Sequence, residues 1–304
     1  MPADTMTGTP VLTVVIASVC DEARRELLHR ACESIRAMAR GHSYSILVVA
    51  NGPRVSEGVL AWLKAQPDVE VVRIRTGSYP LSRRIGAELA KGEFLAFVDD
   101  DDELLPDTLG PKLAIFREQP EVNVLVTDGL RISERGTSRI FPPPEARKAN
   151  LVETLMHAGW GAGALTLRTN KVDLSAFDAE FRQMEWTLTV LTLARHHQVA
   201  YLDMPTYRYY ETTPGSLSKQ AAHAVTAPEV WRRLLVAYDG TPQHPLVRRR
   251  YGSACHNVSW VLANRGHLLE AWRAHFESMA CPGGLSYLTY TANLLVRSVR
   301  SLVA

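Results

Sequence analysis

The sequence has little of what marks secretion, membrane spanning or nucleic-acid binding. It carries four cysteines in 304 residues (Cys20, Cys32, Cys255 and Cys281), and no two fall at a metal-finger spacing. That scatter excludes a zinc-ribbon motif and a disulfide-dense scaffold, and it suits a reducing compartment. No stretch approaches the roughly 20 apolar residues that span a bilayer. The opening MPADTMTGTP lacks a basic segment followed by an apolar core, so a cytoplasmic protein without a signal peptide is expected. The formal charge of +2 argues neither way on nucleic acid, but there is no basic block of the kind a phosphate backbone selects, so no such partner is expected. What remains is an ordinary globular composition, 46% hydrophobic and 22% charged, enough for one large or two unequal domains.

Apolar runs then alternate with helical spacing. Val11 to Ala17 (VLTVVIA) is β-branched and fit for a strand buried on both faces. Leu27, Leu28, Ala31, Ile35 and Met38 follow at three- and four-residue intervals, the mark of a helix. Ser45 to Ala50 is a second strand, stopped by Asn51-Gly52-Pro53. A helix through Val59, Leu60 and Leu63, a strand Val69 to Ile74, a helix Leu81 to Ala90 and a strand Phe94 to Val98 continue the rhythm. Such alternation predicts a parallel sheet wrapped by helices with right-handed crossovers. Further on, Pro106 is expected to start a helix that runs to Phe116. Val122 to Thr127 is expected as a strand ending at Asp128-Gly129, and Phe141-Pro142-Pro143-Pro144 as an exposed break. Ala162 to Leu167, Val199 to Leu202 and Thr206 to Tyr210 read as strands, and Thr187 to Ala194 as an apolar helix. Beyond about residue 220 the pattern is helical, with a helical hairpin over Tyr251 to Met279.

The strand Phe94 to Val98 runs straight into Asp99-Asp100-Asp101-Asp102-Glu103. Neighbouring carboxylates repel, so such a run costs stability unless cations or donors neutralise it. Carboxyl ends of parallel strands are where open α/β sheets bind ligands, and oxygen donors there suit Mg²⁺ or Mn²⁺ with a phosphate-bearing substrate. A solvated turn with Asp102 capping the next helix is the plainer reading.

In order, the segments VLTVVIAS, SILVVANGP, LSRRIGAELAKGEFLAFVDDDDELLPD, FDAEFRQMEWTLTVLTLARHHQVAYLD and YRYYETTPGSLS resemble the family-two glycosyltransferases, over roughly residues 10 to 218. The resemblance implies an α/β protein of the GT-A type, a Rossmann-like, mostly parallel sheet flanked by helices, spanning 10–218 with a helical C-terminal extension over 219–304. It implies an inverting, metal-dependent transfer of a sugar from a nucleotide-diphosphate sugar to an acceptor hydroxyl, in cell-surface glycan or glycoconjugate synthesis.

The family's Asp-any-Asp maps onto Asp99, contacting donor ribose or metal, and Asp101, ligating Mn²⁺ or Mg²⁺; Asp100 lies between them among the donor contacts. Arg83 falls where the family sets an arginine against the donor nucleotide, and a guanidinium fork suits phosphate. Arg84 stands where asparagine is usual, and Gly86 is read as a close helix–sheet approach. Ser18 ends the first strand near the donor base. Ala50-Asn51 replaces the usual acidic pair, so Asn51 offers an amide where a carboxylate would accept from uracil; UDP is favoured without being fixed. Glu185 matches the place of the general base, with Trp186 where a second acid is usual. Trp160, among Gly159, Gly161 and Gly163, and Trp186 are weaker candidates for acceptor or sugar contact, as are Tyr207, Arg208 and Ser216. His196-His197 is given no ligand role. The acceptor is a saccharide, a lipid-linked molecule or a small molecule. The segment Leu285 to Arg300 either packs on the main domain or lies at the inner face of the membrane as a peripheral contact. Two rivals stand beside this reading. A nucleotidyltransferase would want a glycine-rich basic loop where Ser18-Val19-Cys20-Asp21-Glu22 stands. A non-catalytic nucleotide-sugar-binding protein on the same scaffold would fit the altered Ala50-Asn51 pair and the lone Glu185.

Overall fold

A computed structural model describes residues 9–142, 151–157, 161–177, 180–181, 183–213 and 221–303. The chain divides into two compact units, residues 1–182 with 196–214 and residues 183–195 with 215–304.

The first unit begins with β1 (Leu12–Ser18), α1 (Arg25–Met38), β2 (Tyr44–Asn51), α2 (Glu57–Lys64), β3 (Val69–Ile74), α3 (Tyr79–Leu89) and β4 (Phe94–Asp99). Every residue of β1 is buried, as a strand covered on both faces requires. Its neighbours β2 and β4 are both parallel to it, with Ser18 opposite Ala50 and Ala17 opposite Asp99. α1 buries Leu28, Ala31, Cys32, Ile35 and Met38, one stripe of a 3.6-residue period. α2 and α3 start at Ser56 and Ser78, whose hydroxyls accept from the backbone N–H three residues on. Gly86 on α3 lies where a Cβ would come within 2.4 Å of Val15, so the helix can seat on β1 only without a side chain there.

Then come β5 (Glu103–Leu104), α4 (Leu109–Glu118), β6 (Val122–Ser133), β7 (Gly136–Arg139), α5 (Leu151–His157), β8 (Leu165–Arg168) and β9 (Gln198–Tyr210). The sheet order is β3-β2-β1-β4-β8-β6-β9-β5, with β7 on β6. The pairs β1–β2, β1–β4, β2–β3 and β6–β9 are parallel, while β8 is antiparallel to both β4 and β6.

Several expected boundaries move. The helix after Pro106 starts only at Leu109, because Asp107 takes a left-handed φ of 58° that a helix cannot continue through. Asp128-Gly129 does not end a strand: β6 runs on through an irregularity there to Ser133. The Asp128 carboxylate holds that bend, accepting from the N–H groups of Gly129 and Phe141. Val199 to Leu202 and Thr206 to Tyr210 are one strand, and Ala162–Ala164 is a short 3-10 turn before β8. The Pro143-Pro144 part of the expected break lies outside the described residues.

The second unit is helical: α6 (Glu185–His196, all but its last residue), α7 (Ala221–Ala237), α8 (His244–Asn264), α9 (Leu268–Met279) and α10 (Leu288–Val303). Ala263, Ala271 and Leu294 form a buried cluster joining α8, α9 and α10. The Tyr238 hydroxyl, buried, donates to the carbonyl of Leu191 and ties the end of α7 to α6. No helix among the described residues is long and apolar enough to cross a membrane.

Candidate active site

The ends of β1, β2 and β4 lie side by side in register, which brings Ser18, Asn51 and the acid run into one neighbourhood. Asn51 is buried and its Nδ2 donates to the Ser18 carbonyl at 3.0 Å, so one amide proton is committed to the scaffold. The Ser18 hydroxyl donates to Asp100 at 2.6 Å and accepts from the Cys20 N–H. Ser18 is thus a buried strut beneath the acids rather than an open contact.

The four aspartates have four different environments. Asp99 is partly exposed and accepts from Arg83 of α3 at 2.6 Å; the Arg83 side chain is only 9% exposed. Asp100 is buried, accepting from Ser18 and from Arg24 Nη1 at 3.0 Å. Burial, reinforced by Asp101 and Asp99, pushes its carboxyl up to about 7 against the pull of Arg24 and Ser18. Asp101 is partly exposed, with Arg24 Nη1 at 3.4 Å from its Oδ2. Burial first and Asp99 second raise its pKa, while Arg24 opposes. Asp102 is buried and does not cap a helix: its Oδ1 accepts from the Tyr210 N–H at 3.0 Å. Its Oδ2 has no hydrogen-bond partner among the described residues, and burial, Asp99 and Asp101 hold this carboxyl well above the usual range.

Arginines answer the repulsion that the sequence predicts. Besides Arg83 and Arg24, Arg30 of α1 donates to the backbone carbonyl of Asp101 at 2.7 Å and pairs with Glu103 at 2.8 Å. Glu103 also accepts from Arg208 at 3.0 Å and from the Tyr210 hydroxyl at 2.9 Å, while the Arg30 guanidinium lies 4.5 Å from the centre of the Tyr210 ring. This clamp fixes the loop after β4 to α1 and β9. Arg208 therefore has a structural partner. Tyr207 is fully buried, its ring filling the space left by Gly129 and Gly163 and its hydroxyl accepting from the Gly161 N–H. Arg84 pairs with Glu88 on the exposed side of α3.

The sequence reading missed Arg24, Arg30 and Tyr210. Arg24 and Arg30 sit in RRELLHR, which by itself reads as solvated helix charge. Only the position of α1 directly after β1, whose end neighbours that of β4, hints that they reach the acids.

Glu185 opens α6 in the second unit. Met184 just before it has φ 59°, a left-handed value uncommon for a side-chain-bearing residue, of the sort that clusters where a neighbour must be held in place. Trp186 is buried. Trp160, Gly159 and Ser216 lie outside the described residues.

The oxygen donors at Asp99 and Asp101 suit a hard divalent cation in kind. Among the described residues, however, no three His, Cys, Asp or Glu side chains are set to hold an ion. Arg24 stands between the Asp100 and Asp101 carboxylates instead.

The arrangement is one of acids at parallel strand ends, faced by arginines, on an α/β fold. Residues 14–170, just over half the chain, match glycosyl transferase family 2. The chain belongs to that family and is a glycosyltransferase. The solved structure of S. aureus TarS residues 1–349 with UDP-GlcNAc superposes with a TM-score of 0.63 at 16% identity, over 88% of this chain and 80% of that one. The same TarS fragment with UDP gives 0.57 at 16% identity over the same shares. At that identity the likeness is one of fold. "Uncharacterized protein y4gI" of Sinorhizobium fredii is 25% identical over 235 residues, 74% of this chain but only 25% of that protein's length.

Proposed function

We propose that the chain transfers a sugar from a nucleoside-diphosphate sugar to an acceptor hydroxyl, with inversion at the anomeric carbon. The observation that carries this reading is the convergence of Asp99, Asp100, Asp101, Ser18 and Asn51 at neighbouring strand ends, with Arg83 of α3 paired to Asp99. The TarS complexes, which carry UDP-GlcNAc and UDP, support a nucleotide-sugar donor on this fold and favour UDP. Asn51 retains an amide oxygen and one N–H for a base ring.

The chemistry then divides among the chain's own residues. Glu185 accepts the proton of the acceptor hydroxyl as its oxygen attacks the anomeric carbon. The new carbon–oxygen bond forms as the sugar–phosphate bond breaks, and the electron pair leaves on the nucleoside diphosphate. Arg83, held by Asp99, faces that growing charge with a preorganised guanidinium. Asp101 with Asp99 would hold Mn²⁺ or Mg²⁺, which supplies Lewis-acid stabilisation of the diphosphate when bound. The acceptor is a saccharide, a lipid-linked molecule or a small molecule. We also read the outward face of α10 as a peripheral membrane contact, in keeping with a lipid-linked acceptor.

Calorimetric titration of UDP, GDP and dTDP with and without Mn²⁺ tests the donor site on wild type and Asp101→Ala. Mn²⁺-dependent binding of one nucleotide, lost in the variant, is the expected result. A folded wild type that binds none of the three overturns the reading in favour of a non-catalytic protein on this scaffold.

A further inference from the structure

Arg24 is paired with the Asp101 carboxylate, through Oδ2, where a divalent cation would bind. Its backbone is pinned in the short turn Glu22–Arg24, where the Asp21 carboxylate accepts from the Arg24 N–H at 3.1 Å. From there one guanidinium nitrogen reaches both Asp100, at 3.0 Å, and Asp101, at 3.4 Å. The two carboxylates differ in what else they have. Asp100 is buried and keeps the Ser18 hydroxyl at 2.6 Å if Arg24 leaves. The Asp101 side chain is 21% exposed, and Arg24 is the one side chain hydrogen-bonded or ion-paired to its carboxylate among the described residues. Arg30 is bound to the Asp101 backbone carbonyl and to Glu103, so it fixes the loop without neutralising that side chain.

Arg83 and Arg24 differ in the same way. The Arg83 side chain is 9% exposed on its helix against Asp99, whereas that of Arg24 is 20% exposed on a turn. We propose that Arg24 is an exchangeable resident cation: it neutralises Asp100 and Asp101 in the free protein and passes to the donor diphosphate when a divalent cation takes Asp101. This rests on the donor and cation reading given above.

The physical case is one of exclusion. A divalent ion binds a carboxylate oxygen at about 2.0–2.6 Å, and a guanidinium on the same oxygen would be a like charge in direct contact with it. Either alone satisfies Asp101. A diphosphate entering with the ion brings enough negative charge to draw Arg24 away, with a fork that matches phosphate oxygens. Cation and nucleotide therefore bind cooperatively, each strengthening the other by the same factor.

The test is Mn²⁺ binding followed by electron paramagnetic resonance, without nucleotide, on wild type, Arg24→Gln and Arg24→Lys, with circular dichroism confirming the fold of each. Arg24→Gln is expected to bind Mn²⁺ about tenfold or more tighter than wild type, because the competing charge is gone. Arg24→Lys, which keeps the charge, is expected to stay near wild type. Calorimetry of UDP with saturating Mn²⁺ should show roughly tenfold weaker binding to Arg24→Gln, since a charge-assisted contact to the diphosphate is lost. Equal Mn²⁺ affinity in wild type and Arg24→Gln overturns the exchange, whether that affinity is tight or undetectable. Wild-type binding of UDP with Mn²⁺ reports on the donor reading separately: present, it leaves only the exchange refuted; absent, the donor reading fails as well.

Discussion

The end of β4 and the surface of α10 treat polarity in opposite ways. After β4, charged side chains are drawn into the fold: Asp99, Asp100, Asp101 and Glu103 each face an arginine, Asp100 and Glu103 accept from a hydroxyl as well, and Asp102 accepts from the Tyr210 N–H. Along α10 two polar groups turn inward, Thr291 bonding His275 and Ser298 accepting from the Trp272 indole. The apolar Leu288, Leu295, Val296 and Val299 are left half exposed on the outside. Charge held inside at this cost makes sense where charged ligands arrive, and apolar surface held outside makes sense where something apolar covers it. Neither region is explained by stability alone.

The helical unit carries one proposed chemical group, Glu185. If this unit were only a surface, Glu185→Gln would leave transfer intact. The expected outcome is instead a fall of about 10²–10⁴ in kcat with unchanged UDP binding, the usual scale of a lost general base. Single-turnover transfer from the preferred nucleotide sugar measures it, and normal turnover by the variant would assign the proton to another group.

Among the described residues, Lys112 is a buried charge without the partners that the acids after β4 have. It is 2% exposed on α4, and burial alone pushes its ammonium down to about 8. The unfolded chain binds the proton up to its ordinary value of 10.5, so stability rises with pH between about 8 and 10.5 and the cost is fully present at pH 7. Lys112→Met should therefore stabilise at pH 7 by up to roughly 3 kcal/mol, with the gain vanishing above pH 10.5. Thermal unfolding at pH 7 and pH 10.5 checks this; an equal gain at both pH values would mean that packing, not charge, sets the difference.

Asp100 titrates with the opposite sign. Its carboxyl is raised by burial to about 7, so the folded state holds a proton that the unfolded chain has released, and stability falls as pH rises from about 4 to 7. Asp100→Asn, whose single amide oxygen can still accept from Arg24 while its NH2 group turns to the Ser18 oxygen, lacks that slope. The Tm difference, variant minus wild type, should grow as pH rises from 4 to 7. A difference independent of pH would show that Arg24 keeps Asp100 ionised throughout.

Much of the first unit is written in local pattern. The β-branched run of β1, the stripe of α1 and the acids after Val98 each carry their structure in adjacent residues. What was illegible depended on distant partners. Arg24 and Arg30 acquire meaning only from 71 to 76 residues away, where Asp100 and Asp101 lie. The strand break expected at Asp128-Gly129 failed for the same reason. The carboxylate that looks like a turn residue is the anchor of a bend, and the glycine is required by the Tyr207 ring, where a Cβ would fall within 2.4 Å. Tyr207, polar enough to suggest a substrate contact, is core because two glycines make room for it.

The smallest expected effect on stability comes from α10, and it separates the two occupants of its outer face. Leu288, Leu295 and Val299 are 50–58% exposed and lie at helical spacings on one side, turned away from the buried Leu294. No acidic residue follows Glu277, while Arg297 and Arg300 do, so the segment is biased toward an anionic surface. Leu295→Asp changes a side chain more than half exposed, so stability should move by only about 0.5 kcal/mol. Co-sedimentation should nevertheless show wild type on vesicles containing phosphatidylglycerol, less on purely zwitterionic vesicles or at high salt, and the variant on neither. If wild type ignores both vesicles but sediments as a dimer that Leu295→Asp makes monomeric, the apolar face belongs to a second copy of the chain, and the outward turn of α10 is an assembly surface instead.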